Sequence, residues 1–331
     1  MVTFRRYSPL SGDFERMRLF LQENCGSHGE KGRYPEFWEY AQVLPWYDYA
    51  SSWRNGIWEE DGRIVAAAWF EDAPGTARLT TDAQHAGLFE TVLNYAEEWL
   101  CSVEADGKKK LDIELPLPQD KARKEVLLSR GYRPDGAENW NLYDLTQPIP
   151  EPHFPDGFVL KRLAEIPESD FAALNTAIQQ GFDHEGEAGP ESLLMTQTAP
   201  HARPDLTRCV VAPNGDYACF AGLWYNDVLK CGYLEPLCTR PAYRGMGLAR
   251  SVLYTQMREI RAMGGLTFTG GDQPFYLSAG YQPPSHLCTF LQRILKKAPE
   301  PIAPALWFYA RSFKVTTASM LTPPEARSVR K

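Results

Sequence analysis

Two octapeptides in different parts of the chain are closely alike. LLSRGYRP occupies residues 127–134, and YLSAGYQP occupies residues 276–283. The openings FRRYSPLSGDF, from Phe4, and LKRLAEIPESDF, from Leu160, are also alike. Because 331 residues are too many for one ordinary domain, the repeat predicts that one fold occurs twice in this chain.

A proline-rich segment separates the two copies. PIPEPHFPDG, at residues 148–157, contains four prolines, a composition typical of an extended linker. We therefore predict a first half over residues 1–147 and a second half over residues 158–297. Residues 298–331 form a C-terminal tail after the break KKAPEPIAP, and the segment ALWFYARSFKV in it could add one strand.

The two halves have the same predicted order of elements: helix, strands, helix, strand, helix, strands. In the first half, WRNGIWEEDGRIVAAAWF indicates a hairpin, TARLTT and KLDIEL indicate strands, and WNLYDL indicates the last strand. In the second half, TRCVVAPNGDYACFAGLWYN indicates a hairpin that turns at Asn-Gly, and KCGYLEPLCT is the next strand. The apolar residues from Leu248 onward share one helical face.

Composition and charge exclude several classes of protein. The net charge of −7 and the pI near 5.5 argue against a nucleic-acid partner. No segment reaches the roughly 20 apolar residues that span a bilayer, and the N-terminus has no signal-peptide pattern. The seven cysteines are scattered, without a Cys-x-x-Cys pair, which predicts reduced thiols, no metal site and a cytoplasmic location.

The segment CTRPAYRGMGLA, at residues 238–249, has the pattern of a phosphate-binding turn. A strand enters it and a helix leaves it, and the first turn of a helix offers free N–H groups and a positive dipole end. Gly245 and Gly247 allow the backbone to approach an anion, Arg244 adds a fixed charge, and the small Ala249 leaves the surface open. A dinucleotide fingerprint would require glycine where this chain has Arg250.

This turn resembles the acyl-CoA loop of the GNAT superfamily of N-acyltransferases, whose signature is Arg/Gln-x-x-Gly-x-Gly/Ala. Arg244, Gly247 and Ala249 occupy those three positions. The family also has a tyrosine four residues ahead of a glycine-aromatic pair, and Tyr276 fits that position. The family's Asn-x-x-Ala run is replaced here by TGGDQPF.

The resemblance implies an α/β fold of two tandem GNAT-like domains, each a central mixed, mostly antiparallel sheet flanked by helices. It also implies acetyl-CoA as co-substrate and direct transfer in a ternary complex, with Tyr276 as the acid that protonates the leaving thiolate. The residues implied to bind acetyl-CoA are Leu237, Cys238 and Thr239 of the strand, and Arg244, Gly245, Met246, Gly247, Leu248 and Ala249 of the loop.

The reaction also needs a base, because an alkyl amine is almost wholly protonated at neutral pH. Glu235 is the only carboxylate in KCGYLEPLCT and is our candidate for the base. The alternative, weighted equally, is that Glu235 is a solvated carboxylate or is paired at a helix cap. Pro236 should disturb the strand beside it. A mechanism with Cys238 as a covalent nucleophile is less favoured than direct transfer, because no His or Asn lies at the spacing expected for a catalytic partner of this cysteine.

The first half lacks the features that bind acyl-CoA. Alignment backwards from Leu93 and Leu253 sets GLF at residues 87–89 opposite GLA at residues 247–249, with no counterpart to Arg244. Leu127, which cannot donate a proton, stands opposite Tyr276. We therefore predict a degenerate first copy, and a divergent but active loop is the alternative.

Two further segments bear on the amine acceptor. Residues 34–58 contain nine aromatic residues, which either form core and interdomain packing or wall an acceptor cavity. The segment GFDHEGEAGPES is acidic, and either attracts a cationic amine or is a solvated loop. Its ionisable residues are Asp183, His184, Glu185, Glu187 and Glu191.

The predicted function is transfer of an acetyl group to a primary amine of a small molecule or peptide. The alternative is a non-catalytic acyl-CoA sensor or interaction module. A third reading, an aminoacyl-tRNA-dependent transferase on paired halves, is disfavoured by the acidic pI and the intact loop. We predict no membrane partner.

Overall fold

The computed structural model of the chain describes residues 1–25, 34–116, 121–138, 141–184, 193–283 and 288–295. These residues belong to one compact unit, which runs from Met1 to Lys296. Glu185, Glu187, Glu191 and the strand predicted in the C-terminal tail lie outside the described residues.

Seven helices and fourteen strands are interspersed along the described residues. The helices are α1 (Asp13–Asn24), α2 (Pro35–Gln42), α3 (Phe89–Trp99), α4 (Lys121–Ser129), α5 (Phe171–Gly181), α6 (Leu248–Ala262) and α7 (Pro274–Ser278). The strands before the linker are β1 (Thr3–Arg6), β2 (Gly56–Glu60), β3 (Arg63–Trp69), β4 (Thr76–Thr81), β5 (Ser102–Val103), β6 (Lys109–Pro116), β7 (Arg133–Glu138) and β8 (Leu142–Asp144). The strands after it are β9 (Val159–Arg162), β10 (Arg208–Val211), β11 (Tyr217–Asn226), β12 (Cys231–Thr239), β13 (Thr267–Thr269) and β14 (Cys288–Leu295).

The strands form two mixed sheets, as the sequence predicted. The first sheet has the order β1-β2-β3-β4-β6-β14-β7, with β5 paired to β6, and the second has the order β8-β13-β12-β11-β10-β9. Each sheet contains one parallel pair, β4 with β6 and β12 with β13, and its remaining pairs are antiparallel. The two sheets therefore share one plan.

The last strand of each half pairs in the sheet of the other half. Strand β8, predicted in WNLYDL, exists, but it pairs with β13 and not with strands of the first half. Strand β14 lies between β6 and β7 of the first sheet. Strand β7 was not predicted, because RPDGAE lacks the alternation of a half-buried strand. The two sheets are therefore linked by an exchange of strands.

The sequence repeat corresponds to a repeated local structure. Gly131 has a φ of 87° and Gly280 a φ of 97°, a left-handed conformation that glycine adopts without strain. The amide of Tyr132 donates to the carbonyl of Leu127, and the amide of Tyr281 donates to that of Tyr276, each at 3.1 Å. Both tyrosine rings are buried, so the repeated peptide ends a helix and anchors an aromatic ring in each half.

The aromatic segment of the first half forms much of the contact between the halves. Tyr34, Phe37 and Trp38 are buried in one apolar cluster with Trp224 and Tyr233 of the second sheet. The rings of Tyr34 and Tyr233 lie 5.6 Å apart, centre to centre. Interdomain packing is therefore one role of this segment.

The linker residues pack against helix α6. Ser251 Oγ accepts a hydrogen bond from the amide of His153 at 3.1 Å and donates one to its carbonyl. Arg258 donates to the carbonyl of Ile149 at 2.8 Å and forms an ion pair with Glu151 at 2.6 Å. These contacts attach the connecting segment to the second half.

Within the described residues, the structure contains no helix that is both long and apolar enough to cross a membrane. The same residues contain no group of three or more His, Cys, Asp or Glu side chains arranged to hold a metal ion.

Two buried carboxylates lie between the halves. Glu36 Oε1 accepts a hydrogen bond from Asn226 at 2.8 Å, whereas its Oε2 has no hydrogen-bond partner among the described residues. Burial, reinforced by the charge of Glu39 and opposed by Asn226 and Arg18, raises the pKa of Glu36 to about 7. Glu39 forms an ion pair with His201 at 2.5 Å, and burial raises its pKa as well.

The raised pKa of Glu36 predicts that the free energy of unfolding falls as pH rises between about 4.5 and 7, where only the folded state holds this proton. Glu36→Gln removes this dependence, and its stability advantage over the wild type should grow by about 2 to 3 kcal/mol from about pH 5 to about pH 8. Denaturant unfolding at both pH values measures the difference. Glu125→Gln, a change at an exposed carboxylate, is the control, and an advantage independent of pH would contradict the prediction.

Candidate active site

The turn between β12 and α6 has the backbone that the sequence predicted. Gly245 has a φ of 80° and Gly247 a φ of 79°, and Gly247 is the N-cap residue immediately before α6. A Cβ atom built on either glycine would meet no atom within 4 Å. Glycine adopts this left-handed conformation without strain, which explains both glycines, and the space beside them is open. With no acidic residue in the first turn of α6, this turn fits a phosphate group.

Arg244 connects this turn to the end of helix α5. Its Nε donates to the carbonyl of Thr239 at 3.1 Å, and its Nη2 donates to the carbonyl of Gly181 at 3.0 Å. The guanidinium also forms an ion pair with Asp183 at 2.9 Å, and 44% of the side chain is exposed. Arg244 therefore stabilises the turn and still presents charge at its surface.

Strand β12 changes register at Glu235. It pairs regularly with β11 from Cys231 to Leu234 and again from Leu237 to Thr239, with a shift between these stretches. The Glu235–Pro236 peptide bond is cis. The carbonyl of Glu235 comes so near to Gly222 that a Cβ there would lie 2.2 Å from the oxygen, and Gln197 Nε2 donates to that oxygen at 3.2 Å. The irregular segment of β12 is thus fixed by two contacts, one with Gly222 and one with Gln197.

The second sheet opens beyond this shift. Strand β12 pairs with β13 only at Cys231 and Gly232, although the amide of Leu234 still donates to Thr269 Oγ1 at 2.9 Å. Further along, one cavity of about 650 Å³ is lined by residues 234, 235 and 237–239 on one side and by residues 270–273 on the other. At Cys231 and Gly232 one edge of β12 pairs with β13. Further along, near Thr239, the same edge borders the cavity.

Several of the predicted site residues line this one cavity: Tyr276, Glu235, Leu237, Cys238, Thr239, Arg244 and Ala249. The other four predicted loop residues do not line it. Leu248 is buried in the core below α6, Met246 is exposed, and Gly245 and Gly247 offer only backbone. Any contact of these four with a phosphate group would use their amides.

Tyr276 lies against two glycines that follow β13. A Cβ atom on Gly270 would come within 2.6 Å of the Tyr276 ring, and one on Gly271 within 3.0 Å. Burial, together with the negative charges of Glu235 and Asp272, raises the pKa of Tyr276 well above that of a free phenol. The hydroxyl therefore keeps its proton at neutral pH. The segment TGGDQPF, where the family has Asn-x-x-Ala, thus makes room for this ring.

The thiol of Cys238 is buried beside Gly181. A Cβ atom on that glycine would lie 2.7 Å from the sulfur. Burial and the nearby thiol of Cys219 raise the pKa of Cys238 well above its usual value. A thiolate is the nucleophilic form of cysteine, so these surroundings disfavour a nucleophilic role for Cys238.

The first half contributes one wall of the cavity. Phe37 and Tyr40 of helix α2 and Glu71, which follows β3, line it together with Glu235. The sequence pattern drew attention to the aromatic segment but not to Glu71. Glu71 belongs to no motif, and its approach to β12 depends on how the halves pack.

The corresponding region of the first half has no glycine turn. Residues 86–88 form a short 3₁₀ turn before α3, and Gly87 does not have a positive φ. Phe89 is buried in the core, and the Arg123 guanidinium lies 5.2 Å from the centre of its ring. A bulky ring therefore stands where Ala249 stands in the second half, as the alignment of the sequences suggested.

Comparison with known proteins relates the chain to one family. Residues 171–281 match the model of the acetyltransferase (GNAT) family. No curated protein sequence matches the chain.

Three solved structures share the fold at low sequence identity. A GCN5-related N-acetyltransferase from Sphaerobacter thermophilus is 17% identical, with a TM-score of 0.59 over 88% of this chain and 95% of that one. A tandem GNAT protein from the clavulanic acid biosynthesis pathway is 13% identical, with a TM-score of 0.57 over 91% and 100%. The GCN5-related glucosamine N-acetyltransferase region of a fungal multi-domain β-N-acetylglucosaminidase is 13% identical, with a TM-score of 0.52 over 88% and 38%.

These likenesses extend over both sheets, which agrees with two GNAT-like halves in one chain. The family match falls on the half that contains the glycine turn, the register shift and Tyr276. The second half of this chain therefore carries a domain of the acetyltransferase (GNAT) family, within a fold of two GNAT-like halves.

Proposed function

We propose that the chain transfers an acetyl group from acetyl-CoA to a primary amine of a small molecule or peptide, directly and in a ternary complex. The observation that carries the proposal is the single cavity that joins the end of β12, Arg244 and Ala249 to Glu235 and Tyr276. A pocket of this volume is typical of small-molecule sites. A non-catalytic acyl-CoA sensor would bind the same ligand without turnover, so release of CoA thiol in the presence of amines separates the two functions.

The cradle for acetyl-CoA consists of backbone groups supported by one cation. The first-turn amides of α6 would hold the pyrophosphate, with the charge of Arg244 beside them. The cavity-facing edge of β12, at Leu237, Cys238 and Thr239, offers backbone groups to an extended arm. Bound there, acetyl-CoA supplies the acetyl group as a thioester.

Glu235 and Tyr276 provide the proton transfers. An ordinary glutamate is a weak base for an ammonium, so Glu235 would take the amine's proton through a water molecule. Tyr276, which stays protonated, would donate its proton to the thiolate as it leaves. Both groups line one cavity, and the charge of Glu235 contributes to the raised pKa of Tyr276, so the two groups lie within electrostatic range of each other.

We expect one acetyl-CoA to bind per chain, in the second half. Gly247→Trp should abolish binding, because it strains a left-handed residue and fills the open side of the turn. Gly87→Trp is the matched control, since it places the same side chain in open space at the aligned position of the first half. Calorimetry gives stoichiometry and affinity, and two equivalent sites in the wild type would refute a degenerate first half.

The acid is tested by Tyr276→Phe, which removes one hydroxyl and little volume. Acetyl-CoA affinity should be unchanged, while kcat should fall by about 10²- to 10⁴-fold, the usual contribution of general acid catalysis. Tyr254→Phe, on a buried tyrosine of the same core, is the control. If the rate of acetyl transfer in single-turnover kinetics is unchanged, another group donates the proton to the leaving thiolate.

The base is tested by Glu235→Gln, which keeps the shape of the side chain and removes its charge. The variant should have a lower kcat/KM and lose or shift the acidic limb of its pH–rate profile, with acetyl-CoA affinity unchanged. Asp272→Asn, which removes another carboxylate from the cavity lining, should retain the limb. If the limb survives in Glu235→Gln, Glu235 is a structural residue.

A further inference from the structure

The cavity carries more negative charge than one amine requires. Among the described residues that line it, Glu71, Glu235 and Asp272 are acidic, and Arg244 is the one basic residue. Arg244 is already paired with Asp183. Glu235 alone would match a single ammonium, and the wall formed by the first half adds a second carboxylate, Glu71.

Glu71 is held in a fixed position by a buried arginine. Arg78 Nη2 contacts Glu71 Oε2 at 2.8 Å and Glu114 Oε2 at 2.8 Å. The guanidinium centre lies 4.5 Å from the centre of the Phe37 ring, and only 6% of the Arg78 side chain is exposed. Such a contact fixes the orientation of a carboxylate better than exposed pairs do.

Arg78 is shared by two carboxylates. One guanidinium faces two carboxylates, and burial lowers the pKa of Arg78 while Glu114 and Glu71 outweigh that effect and raise it. Two carboxylates therefore share one guanidinium, and the one that reaches the cavity is Glu71, whose side chain is 29% exposed. A negative charge next to apolar walls is stabilised by a cation more than it would be in open water.

Tyr40 and Phe37 line the same cavity as Glu71 and Glu235. Burial and the charges of Glu235 and Glu71 raise the pKa of Tyr40, so both carboxylates act on this phenol. Its hydroxyl has no hydrogen-bond partner among the residues that the structure describes. Two aromatic side chains and two carboxylates in one cavity suit an acceptor whose methylene chain joins two cations.

We propose that Glu71 of the first half is a specificity-determining residue that binds a second cationic group of the acceptor, and that the acceptor is a dicationic amine. The proposal rests on the proposed function, in which Glu235 receives the reacting ammonium. Arg78 is a positioning residue that acts through Glu71. The degenerate half thus selects the substrate on which the second half acts.

The experiment compares α,ω-diaminoalkanes of about three to six carbons with n-alkylamines of the same length, a size range that the cavity volume admits. Thiol release from acetyl-CoA by the full chain gives kcat/KM for each amine. The wild type should prefer the diamine by about 10- to 100-fold, the usual strength of a hydrogen bond to a charged group. Glu71→Gln should remove this preference and leave the monoamine rate within about twofold. Glu125→Gln, on the exposed side of α4, should keep it.

Calorimetric binding of the same amines gives a readout that does not depend on turnover. Diamine affinity should fall in Glu71→Gln while monoamine affinity stays constant. A diamine preference that persists in Glu71→Gln, equal losses for both amines, or a wild type that does not distinguish them would overturn the inference and leave the proposed function standing. Acetyl-CoA binding without turnover of any amine would overturn the proposed function instead.

Glu71→Asp provides a second variant in case Glu71→Gln unfolds. It keeps the charge that pairs with Arg78 and withdraws the carboxylate by one methylene. The preferred diamine should then become longer by about one carbon, since each end of the ligand must still reach its carboxylate. An unchanged length preference would overturn the inference.

Discussion

Backbone pairing across the two halves is the constraint on which the rest of this structure depends. Strand β14 pairs with β6 from Cys288 to Leu295 and with β7 on its other side, while β8 extends the second sheet beside β13. The N–H and C=O groups of a strand paired on both sides are used by its two neighbours. The halves therefore cannot separate without breaking hydrogen bonds in both sheets, and the wall containing Glu71 stays against β12.

At the cavity, the shape of the site depends in the same way on one close contact between β11 and β12. The carbonyl of Glu235 approaches Gly222 more closely than any side chain would permit, and Gln197 binds that carbonyl. Gln197 Oε1 in turn accepts a hydrogen bond from Thr207 at 2.6 Å, and Thr207 Oγ1 accepts one from the amide of Leu223 at 3.1 Å. A continuous set of hydrogen bonds thus holds the register shift that opens the cavity.

The elements that local sequence determines were predicted well. Both hairpins turn where an acidic or amide residue precedes glycine: Asp61 and Gly62 both have positive φ, as does Gly215. Helix α6 has the apolar face that the sequence predicts from Leu248 onward, and it ends at Ala262, just before Gly264 in the left-handed conformation. In each case the signal lies within a few residues of the structure it determines.

The sheet to which a strand belongs was not predictable in the same way. WNLYDL has the alternation of a strand, but alternation says nothing about the partner, and β8 pairs with a strand far along the chain. Gly222 and Glu71 gave no local signal either. The close approach of Gly222 depends on the register of β11 and β12, and the role we propose for Glu71 depends on how the halves pack.

The loss of the glycine turn in the first half is compatible with the fold because the turn contributes little to the core. Where the second half has an open glycine turn, the first half has Phe89 packed into its own core, and Leu127 is buried at the position of Tyr276. The first half thus has buried apolar side chains at positions that line the cavity in the second half, and their burial stabilises the half that carries them. The first half instead directs Phe37, Tyr40 and Glu71 toward its neighbour. Because apolar replacement of a buried ion pair is often neutral or stabilising, the pairing of Glu71 with a buried arginine fits the ligand-binding role that we propose for it.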